Sequence, residues 1–364
     1  MEKQKIFIFI SDIAAYIGQN KYDIITPFER LWKRCDKQDY NNIIQSNKND
    51  LVDLKMGIVC LEKEKDLLKD DLDQKKITKR QYNTLLKEKE TKITNENKKI
   101  EELETKIDNI HLNQEEKLTK LIGKEEVNKI RSDKIETDEK KQEINTLLEN
   151  MNISEDKKKF LKKETESFIN KTHGTLKEDS AIEMFQKRHN VLLDTSQEFY
   201  KYRLEMSDNS DYEWYIGGKM DGIYIDENGE NDSYVVEVKN RMRGFFNSLR
   251  DYEKTQIHIY MFLIDVYLAK LVEKYGNKIR ITSIYRDEEY LNDIFEYLNI
   301  FIHSFENNFL KNKDLKIKYV SSDDKEKQKI LQNLYLKEIN NRIYKKLHSS
   351  DTDESDDDCL ISDL

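Results

Sequence analysis

Proline is almost absent from the sequence: Pro27 is the only one among 364 residues, which also include just ten glycines and three cysteines. The cysteines, Cys35, Cys60 and Cys359, lie far apart and form no CxxC pair. This spacing argues against a disulfide framework and against a zinc site, and it favours a reducing compartment. Because 37% of the residues are charged, the composition indicates long polar helices beside a smaller globular part.

Long apolar runs are also missing. The N-terminal run Ile6–Ile10 is too short for a signal peptide, and no stretch of the sequence is long and apolar enough to cross a bilayer. We therefore expect a soluble, intracellular protein that has no membrane partner.

The net charge of −9 is concentrated at the C-terminal end. Residues 349–364 contain seven acidic residues and no basic one, so residues 1–350 carry a net charge of only −2. An acidic, serine-rich tail is expected to be disordered; it could recruit a protein partner or simply add solubility. Residues 311–346 instead hold eleven Lys/Arg against five Asp/Glu, which fits either a phosphate-binding surface or a solvated helix face.

Composition divides the chain into segments of different character. We predict the N-terminal helical part of a globular core at 1–35, a charged, coiled-coil-like helical insertion at 36–160, the rest of the core at 161–320, a basic helical segment at 321–346 and an acidic disordered tail at 347–364.

The charged insertion has a seven-residue apolar period, which is typical of coiled-coil packing. Both ends of the insertion join ordered sequence, so a hairpin of helices is simpler than a free rod. The turn is expected at 73–78, with Thr78 as the N-cap of the second helix. The apolar positions are Leu72, Leu86, Ile93, Ile100 and Ile107 at a, and Leu61, Leu68, Tyr82, Leu103 and Ile110 at d.

Strand and helix patterns alternate within the core. Residues 169–190 are read as a loop followed by a helix. Two aromatic and β-branched runs, YEWYIGGKMDGIYID and SYVVEVKNR, flank the turn sequence ENGEN and predict a β-hairpin. A helix is then predicted for 248–276, ending at Gly276, followed by a strand at 279–286 and a helix at 289–310.

The hairpin places charged residues where an apolar strand would bury them. If the turn centres near Gly229, Asp221 lies opposite residues 237–238. Side chains alternate along a strand, so Glu237 and Lys239 point to one face and Val236 and Val238 to the other. The GGKMDG run also places small residues beside the acid, as a site approached by a bulky ligand would need.

Two buried carboxylates this close repel each other unless a cation neutralises them, and hard oxygen ligands suit Mg²⁺ or Mn²⁺. Such a site could polarise a phosphoryl oxygen and activate water for phosphodiester hydrolysis. In so charged a chain, however, Asp followed later by Glu-x-Lys also arises by chance, as a salt-bridged hairpin. Burial of the strand favours the functional interpretation.

Four pieces of sequence, in order, resemble the lambda-exonuclease-like, or YqaJ-type viral recombinase, branch of the PD-(D/E)xK nucleases. They cover about a third of the chain. The pieces are SDIAAYIGQNKY followed by PFERLWKR, then HGTLKEDSAIEMF, then Asp221 with Glu237-Val238-Lys239, and finally TQIHIYMF. The resemblance implies an α/β fold with a restriction-endonuclease-like core, a mixed central sheet flanked by helices, here interrupted by the long helical insertion.

The resemblance also implies roles for single residues. Glu178, Asp221, Glu237 and the backbone carbonyl of Val238 would bind one or two Mg²⁺ or Mn²⁺ ions. Lys239 would position the attacking water, and Gln256 would help to align it or would contact the DNA. Three residues would contact DNA: Ser11, Arg241 and Tyr260. From the residues alone, Ser11 could equally be the N-cap of a helix beginning at Asp12. His173 and His258 are interpreted as structural.

By this resemblance the protein is a 5′–3′ exonuclease acting on duplex DNA ends in viral or phage recombination or repair, with an oligomeric state left open. A viral protein of this kind would act in the host cytoplasm, a virus factory or the virion. Relatives carry an arginine shortly before the position of Ser11, whereas only Lys3 and Lys5 precede it here. Two alternatives therefore stand: a structure-specific or restriction-like endonuclease, and a non-catalytic helical scaffold or DNA-binding protein.

Overall fold

The computed structural model of the protein describes residues 3–20, 22–108, 114–132, 137–206, 210–226 and 232–349. The chain forms two compact units. The first contains Met1–Cys35, Asp133–Lys141 and Ile169–Leu364, and the second contains Asp36–Ser132 and Gln142–Phe168. Helices and mixed sheets are combined, which confirms the mixed α/β class predicted from the sequence.

The described strands belong to the first unit and form two sheets. The strands are β1 (Gln4–Phe9), β2 (Phe199–Arg203), β3 (Tyr212–Lys219), β4 (Gly222–Tyr224), β5 (Tyr234–Asn240), β6 (Leu268–Tyr275) and β7 (Lys278–Tyr285). One sheet has the order β1-β3-β2, with β1 parallel and β2 antiparallel to β3. The other has the order β4-β5-β6-β7, in which only β5 and β6 are parallel.

The described helices fall in both units. They are α1 (Ile10–Tyr16), α2 (Ile25–Cys35), α3 (Lys37–Asp73), α4 (Lys79–Asp108), α5 (Gln114–Ile122), α6 (Lys124–Arg131), α7 (Thr137–Asn150), α8 (Glu155–His189), α9 (Asp251–Leu263), α10 (Glu288–Ser304), α11 (Lys313–Ser321), α12 (Asp324–Leu331) and α13 (Lys337–Ser349). Short π-helical segments, Phe305–Leu310 and Gln332–Leu336, follow α10 and α12.

The helix predicted for 248–276 is wrong in its second half. Helix α9 ends at Leu263, and Asp265 adopts a left-handed conformation with φ +54°. The chain then enters β6, which is buried between β5 and β7. Gly276 has φ +57° and is the first residue of the two-residue turn joining β6 to β7, a position where hairpins favour glycine. It does not cap a helix.

Two further expectations for the core are corrected. The region 1–35 is not wholly helical, because the apolar run after Gln4 forms β1 and pairs with β3, burying Ile6 and Ile8. The loop predicted at the start of 169–190 is wrong, since α8 is continuous through Gly174 to His189. The strand predicted at 279–286 and the helix predicted at 289–310 are confirmed as β7 and as α10 with its π-helical extension.

Aromatic side chains fill the interior between α2 and α10. Phe28 packs edge-to-face on Phe305 and Phe309, and Trp32 packs edge-to-face on Phe309. All of these rings are fully buried, and each such pair adds about 0.5–1.5 kcal/mol beyond its buried area. Tyr16 of α1 stacks on Phe301 with ring centres 4.4 Å apart, so this packing holds α1 and α2 beside α10 and the π-helical segment that follows it.

The basic segment 321–346 is helical, as predicted, and some of its lysines form ion pairs with acidic residues of the same chain. Lys327 is buried and pairs with Glu29, and Lys346 lies 2.8 Å from Asp293 and from Glu289. These ion pairs favour a structural role over a phosphate-binding surface. Residues 347–349 complete α13, and 350–364, the remainder of the predicted acidic tail, lie outside the described residues.

In the second unit, α3 and α4 form the predicted hairpin of helices. The side chain of Thr78 caps α4 by accepting from the backbone of Gln81 at 3.3 Å, and Gln81 Oε1 accepts from the backbone of Thr78 at 3.0 Å, a reciprocal capping box. Ile93 and Ile100 are buried at their predicted a positions. Ile110 and the ENGEN turn of the core hairpin lie outside the described residues. In the part of the chain that is described, no helix is long and apolar enough to span a membrane.

His258 on α9 predicts an acid-sensitive fold. Its Nδ1 lies 2.8 Å from the carbonyl of Lys254, while Nε2 is buried without a partner. Burial lowers the pKa of His258. The hydrogen bond to the Lys254 carbonyl and the charge of Asp287 oppose this effect, and the charge of Lys254 adds to it. Because the pKa of His258 is lower in the folded protein than in the unfolded chain, the unfolded chain takes up a proton more readily. The contribution of neutral His258 to stability is therefore full above about pH 6.5 and is lost as the pH falls.

We therefore expect the urea midpoint to fall between pH 7.5 and pH 5.5 by more in the wild type than in His258→Asn. Asparagine keeps an N–H near the Lys254 carbonyl but cannot become charged. His303→Asn, at an exposed position of α10, is the matched control and should behave like the wild type. Equal losses in the wild type and in His258→Asn would rule the effect out.

Candidate active site

Asp221 stands where the chain passes from one sheet to the other. β3 ends at Lys219 and β4 begins at Gly222, so Met220 and Asp221 link the two sheets, and the segment predicted as one long strand is divided here. Gly222 is paired with Val236, which brings Asp221 beside Glu237 as the sequence predicted. The Oδ2 atom of Asp221 accepts a 2.7 Å hydrogen bond from the backbone of Val238.

Glu237, on β5, is almost completely shielded from solvent. Its neighbours Val236 and Val238 are buried on the opposite face, and Glu237 itself is only 3% exposed. The ammonium of Lys239 donates to its Oε1 atom, but its Oε2 atom is buried and has no hydrogen-bond partner. A buried carboxylate oxygen without a partner is costly, which marks this position as a site that can accept a further ligand.

Glu178 reaches the same site from α8. Two contacts fix this part of the helix against the four-stranded sheet: Asn240 Nδ2 donates to the carbonyl of Gly174 at 2.9 Å, and Lys274 Nζ donates to Ser180 Oγ at 2.7 Å. The Glu178 carboxyl lies close enough to Asp221 to raise the pKa of that acid, through its hydrogen bond and its charge.

Burial and a neighbouring acid raise the pKa of two of these carboxyl groups, those of Asp221 and Glu237. Burial raises the pKa of Asp221 well above its usual range, and the Glu178 carboxyl adds to this effect. Burial and the charge of Asp221 raise the pKa of Glu237 to about 7, against the opposing effect of Lys239. Burial lowers the pKa of Lys239, but Glu237 and Asp221 outweigh it and raise the pKa overall. The cluster therefore lacks positive charge: one ammonium faces three carboxyl groups.

A polar chain continues from Lys239 along α9. Lys239 Nζ lies 3.3 Å from Gln256 Oε1, and Gln256 Nε2 donates to the hydroxyl of Tyr260 at 3.1 Å. Tyr260 is buried, and the charges of Glu237, Asp221 and Glu178 all help to raise its pKa. The structure thus brings together the five residues predicted for the catalytic site, Glu178, Asp221, Glu237, Lys239 and Gln256. It adds Tyr260, which the sequence had predicted as a DNA contact. Because Tyr260 is buried, it faces this cluster rather than an open DNA-binding surface.

Arg241 does not belong to the site. Its guanidinium is buried and is bound by Glu253 through two hydrogen bonds of 2.7 and 3.0 Å and by Glu273 at 2.8 Å. The expectation that Arg241 contacts DNA is therefore corrected, because all of its donors point into the core.

Ser11 lies exposed on α1, one residue into the helix. The alternative interpretation as an N-cap is wrong, since Phe9 occupies that position and α1 has no side-chain cap. The neighbouring Asp12 is buried and binds Arg30 at 2.8 Å and Arg34 at 3.5 Å. This pair of arginines on Asp12 was not predicted from the sequence; their i, i+4 spacing on α2 was the available signal.

Packing explains the small residues around Asp221. A Cβ atom at Gly222 would lie 2.9 Å from Leu193, and one at Gly218 would lie 3.1 Å from Ile10 and 3.2 Å from Tyr260. These glycines thus make room for neighbouring side chains, which corrects the expectation that they admit a bulky ligand. His173 bonds to Thr137 at 2.9 Å, a structural contact.

The donor set fits a hard cation. Across the described residues, no group of three or more His, Cys, Asp or Glu side chains is arranged so that it could hold a metal ion. In this arrangement Oδ2 of Asp221 accepts from the Val238 backbone and Oε1 of Glu237 accepts from Lys239. The oxygens are nevertheless those that Mg²⁺ and Mn²⁺ prefer, and the unpartnered Oε2 of Glu237 is available to bind such an ion.

A comparison with models of known protein families finds no match, and a comparison with curated proteins finds none either. Among solved structures, the chain is similar to the crystal structure of SSO0001, with a TM-score of 0.29 and 16% identity, covering 45% of this chain and 83% of that one. It is also similar to the crystal structure of LHK-Exo in complex with dAMP, with a TM-score of 0.27 and 12% identity, covering 52% of this chain and 87% of that one. Similarity at this level does not define the activity of this chain.

Proposed function

We propose that the protein is a divalent-metal-dependent DNA nuclease whose core is of the PD-(D/E)xK type. The observation that carries the proposal is the gathering of Glu178, Asp221 and Glu237 beside Lys239, from helix α8, the link between β3 and β4, and strand β5. Purely structural clusters are closer to charge balance, as Arg241 and Arg280 with Glu253 and Glu273 illustrate. Perturbed carboxyl groups of this kind are typical of functional sites.

In this proposal Asp221, Glu237 and the carbonyl of Val238 bind the metal ion, and Glu178 completes or supports the site. When bound, the ion polarises a phosphoryl oxygen and makes water more acidic. Lys239 keeps its proton because the acids raise its pKa, so its Nζ acts as a hydrogen-bond donor and positive charge rather than as a base. Gln256 holds the ammonium of Lys239 in place and is itself held by Tyr260.

The finer features of the proposal concern the substrate. From the family resemblance, the substrate is the end of a DNA duplex, which is degraded 5′–3′ in viral or phage recombination or repair. Ser11 contacts a phosphate near the strand end. A cellular location inside the host and a protein partner of the α3–α4 hairpin or the acidic tail belong to the same proposal. An endonuclease would use the same acids on internal phosphodiester bonds.

We expect the full chain to degrade a linear duplex in Mg²⁺ or Mn²⁺ and to leave it intact in EDTA. A covalently closed circular duplex, incubated in parallel, should be spared because an exonuclease needs an end. Cleavage of the circle would replace the exonuclease with the endonuclease. If neither substrate were cleaved with either ion, the nuclease proposal would be wrong and the non-catalytic scaffold would stand.

A further inference from the structure

The outer face of the β1-β3-β2 sheet exposes aromatic rings. Alternate residues of β1 and β3 point inward and are buried, including Ile6, Ile8, Trp214 and Ile216. The residues between them point outward and meet across the sheet: Phe7 is paired with Tyr215, and Phe199 of β2 with Lys219. The outer face therefore presents four rings, those of Phe7, Phe9, Phe199 and Tyr215.

These rings form one connected surface. Phe7 stacks on Tyr215 with ring centres 5.2 Å apart, and Phe199 meets Phe7 and Phe9 edge-to-face at 6.1 and 6.3 Å. Phe199 lies across the backbone of Gly217, where a Cβ atom would come within 2.7 Å of the ring. The ring is thus supported from below while 38% of the residue remains exposed. Phe9 is exposed to a similar extent, 40%.

Positive charge surrounds the rings. Lys201 and Arg203 point outward from β2 and Lys219 from β3, and all three are exposed. The acidic residue on this face of β3, Glu213, lies 3.4 Å from Arg203. At the β1 edge, a cavity of about 370 Å³ is lined by Phe7, Phe9 and Phe199 together with Lys5 and Arg34. The guanidinium of Arg34 lies 4.5 Å from the centre of the Phe9 ring.

We propose that a single strand of nucleic acid binds across this outer face, with its bases stacked on Phe199 and Phe9 and its phosphates against Lys201, Arg203 and Lys219. Exposed rings interleaved with basic side chains on a sheet are the chemistry that single strands require, because every base has a face that stacks and every linkage carries a negative charge.

The geometry also connects this face to the candidate active site. Lys219, which ends β3, lies beside Phe199 and only two residues before Asp221, about 7 Å along an extended chain. A strand lying over Phe199 would therefore extend toward the acids. The path of the strand toward the acids rests on the proposed nuclease function, whereas binding to the outer face does not require cleavage.

Charge complementarity favours nucleic acid over the other occupants of such a face. A second copy of this chain, docked through the same face, would bring Lys201, Arg203 and Lys219 to both sides of the contact, and like charges brought together oppose association. An apolar peptide would cover the rings but bring no counter-charge to Lys201 and Lys219. A single strand of nucleic acid supplies both bases that stack on the rings and phosphates that pair with the basic side chains.

The test measures binding of the full chain to a fluorescent dT20 oligonucleotide by anisotropy in EDTA, where no metal-dependent cleavage occurs. Phe199→Ala should weaken binding by about 5–150-fold, the loss expected for one stacked base. Lys201→Glu should weaken binding and reduce its salt dependence. Tyr285→Ala and Lys278→Glu are exposed positions on β7 in the other sheet, and these controls should bind like the wild type.

Wild-type affinity in both Phe199→Ala and Lys201→Glu, with unchanged circular dichroism in each, would overturn the inference. So would binding of a polyglutamate peptide in preference to the oligonucleotide, since that would identify an acidic protein as the occupant. An rU20 arm tells whether the strand is RNA or DNA. Asp221→Asn should bind dT20 normally, so loss of cleavage alone bears on the proposed nuclease function and not on this surface.

Discussion

Asp221→Asn should reduce cleavage of linear duplex DNA by about 10²–10³-fold, the loss typical of removing one electrostatic contact made in the transition state. Asparagine keeps an oxygen that can accept from the backbone of Val238, as Oδ2 of Asp221 does, so the local structure is retained. It lacks the negative charge that would hold a divalent cation beside Glu237. Initial rates of cleavage in Mg²⁺, at saturating protein, measure the effect.

The same variant should be more stable than the wild type when no divalent cation is present. Asp221 is buried against Glu178 and close to Glu237, and burial with like-charge repulsion raises the pKa of both Asp221 and Glu237. Removing one of these acids relieves the repulsion, so a higher Tm in EDTA is expected. Adding Mg²⁺ should raise the Tm of the wild type and leave that of the variant nearly unchanged.

Asp232→Asn is the matched control, because Asp232 is exposed shortly before β5 and takes no part in the cluster. It should cleave DNA at the wild-type rate. Wild-type activity in Asp221→Asn would instead mean that another nuclease is present in the preparation or that the site lies elsewhere. A normal Tm shift with Mg²⁺ in that variant would separately exclude Asp221 as a metal ligand.

The sequence predicted the position of Asp221 opposite Glu237 because two local rules agree there. The side-chain period of a strand is two, and the valines at 235, 236 and 238 require a buried register, so a slip by one residue would expose them. By contrast, the change of sheet at Met220 and Asp221 has no local signal. It depends on the parallel pairing of β3 with β1, about 200 residues away in the sequence.

β6 was missed because its sequence fits two periods. Leu268, Leu271 and Val272 have helical spacing, and lysine and glutamate are tolerated in helices. In the structure β6 is sandwiched between a parallel and an antiparallel neighbour, and this tertiary pairing outweighs the local preference. Similarly, the residues before Glu178 that were expected to form a loop lie within α8, where contacts with Asn240 and Lys274 help to hold the helix.

The role of Arg241 could not be predicted because its partners are distant in sequence. Arg241 directly follows β5, two residues after Lys239, and the family resemblance implied that it contacts DNA. Glu253 on α9 and Glu273 on β6 instead bind its guanidinium, and the ring of Phe246 lies 4.1 Å from it. In a chain this rich in charge, local sequence does not distinguish a buried arginine from a solvated one.

This network leads to the largest expected effect on stability. Arg241→Met should destabilise the first unit by about 3–5 kcal/mol, because it leaves Glu253 buried without a counter-charge, and should lower its Tm by roughly 6–20 °C. Glu273 keeps Arg280 and contributes less to the loss. Both tryptophans, Trp32 and Trp214, lie in the first unit, so thermal unfolding followed by tryptophan fluorescence reports on that unit alone.

Two further variants separate loss of the ion pair from simple loss of a side chain. Arg243→Met changes an exposed arginine two residues away and should leave the Tm within about 1–2 °C of the wild type, as for most surface substitutions. Arg241→Met combined with Glu253→Leu removes both charges, and burying two apolar groups in their place should recover much of the lost stability. If the double variant were as unstable as Arg241→Met, the shape of the arginine and its stacking on Phe246, rather than its charge, would be what the core requires.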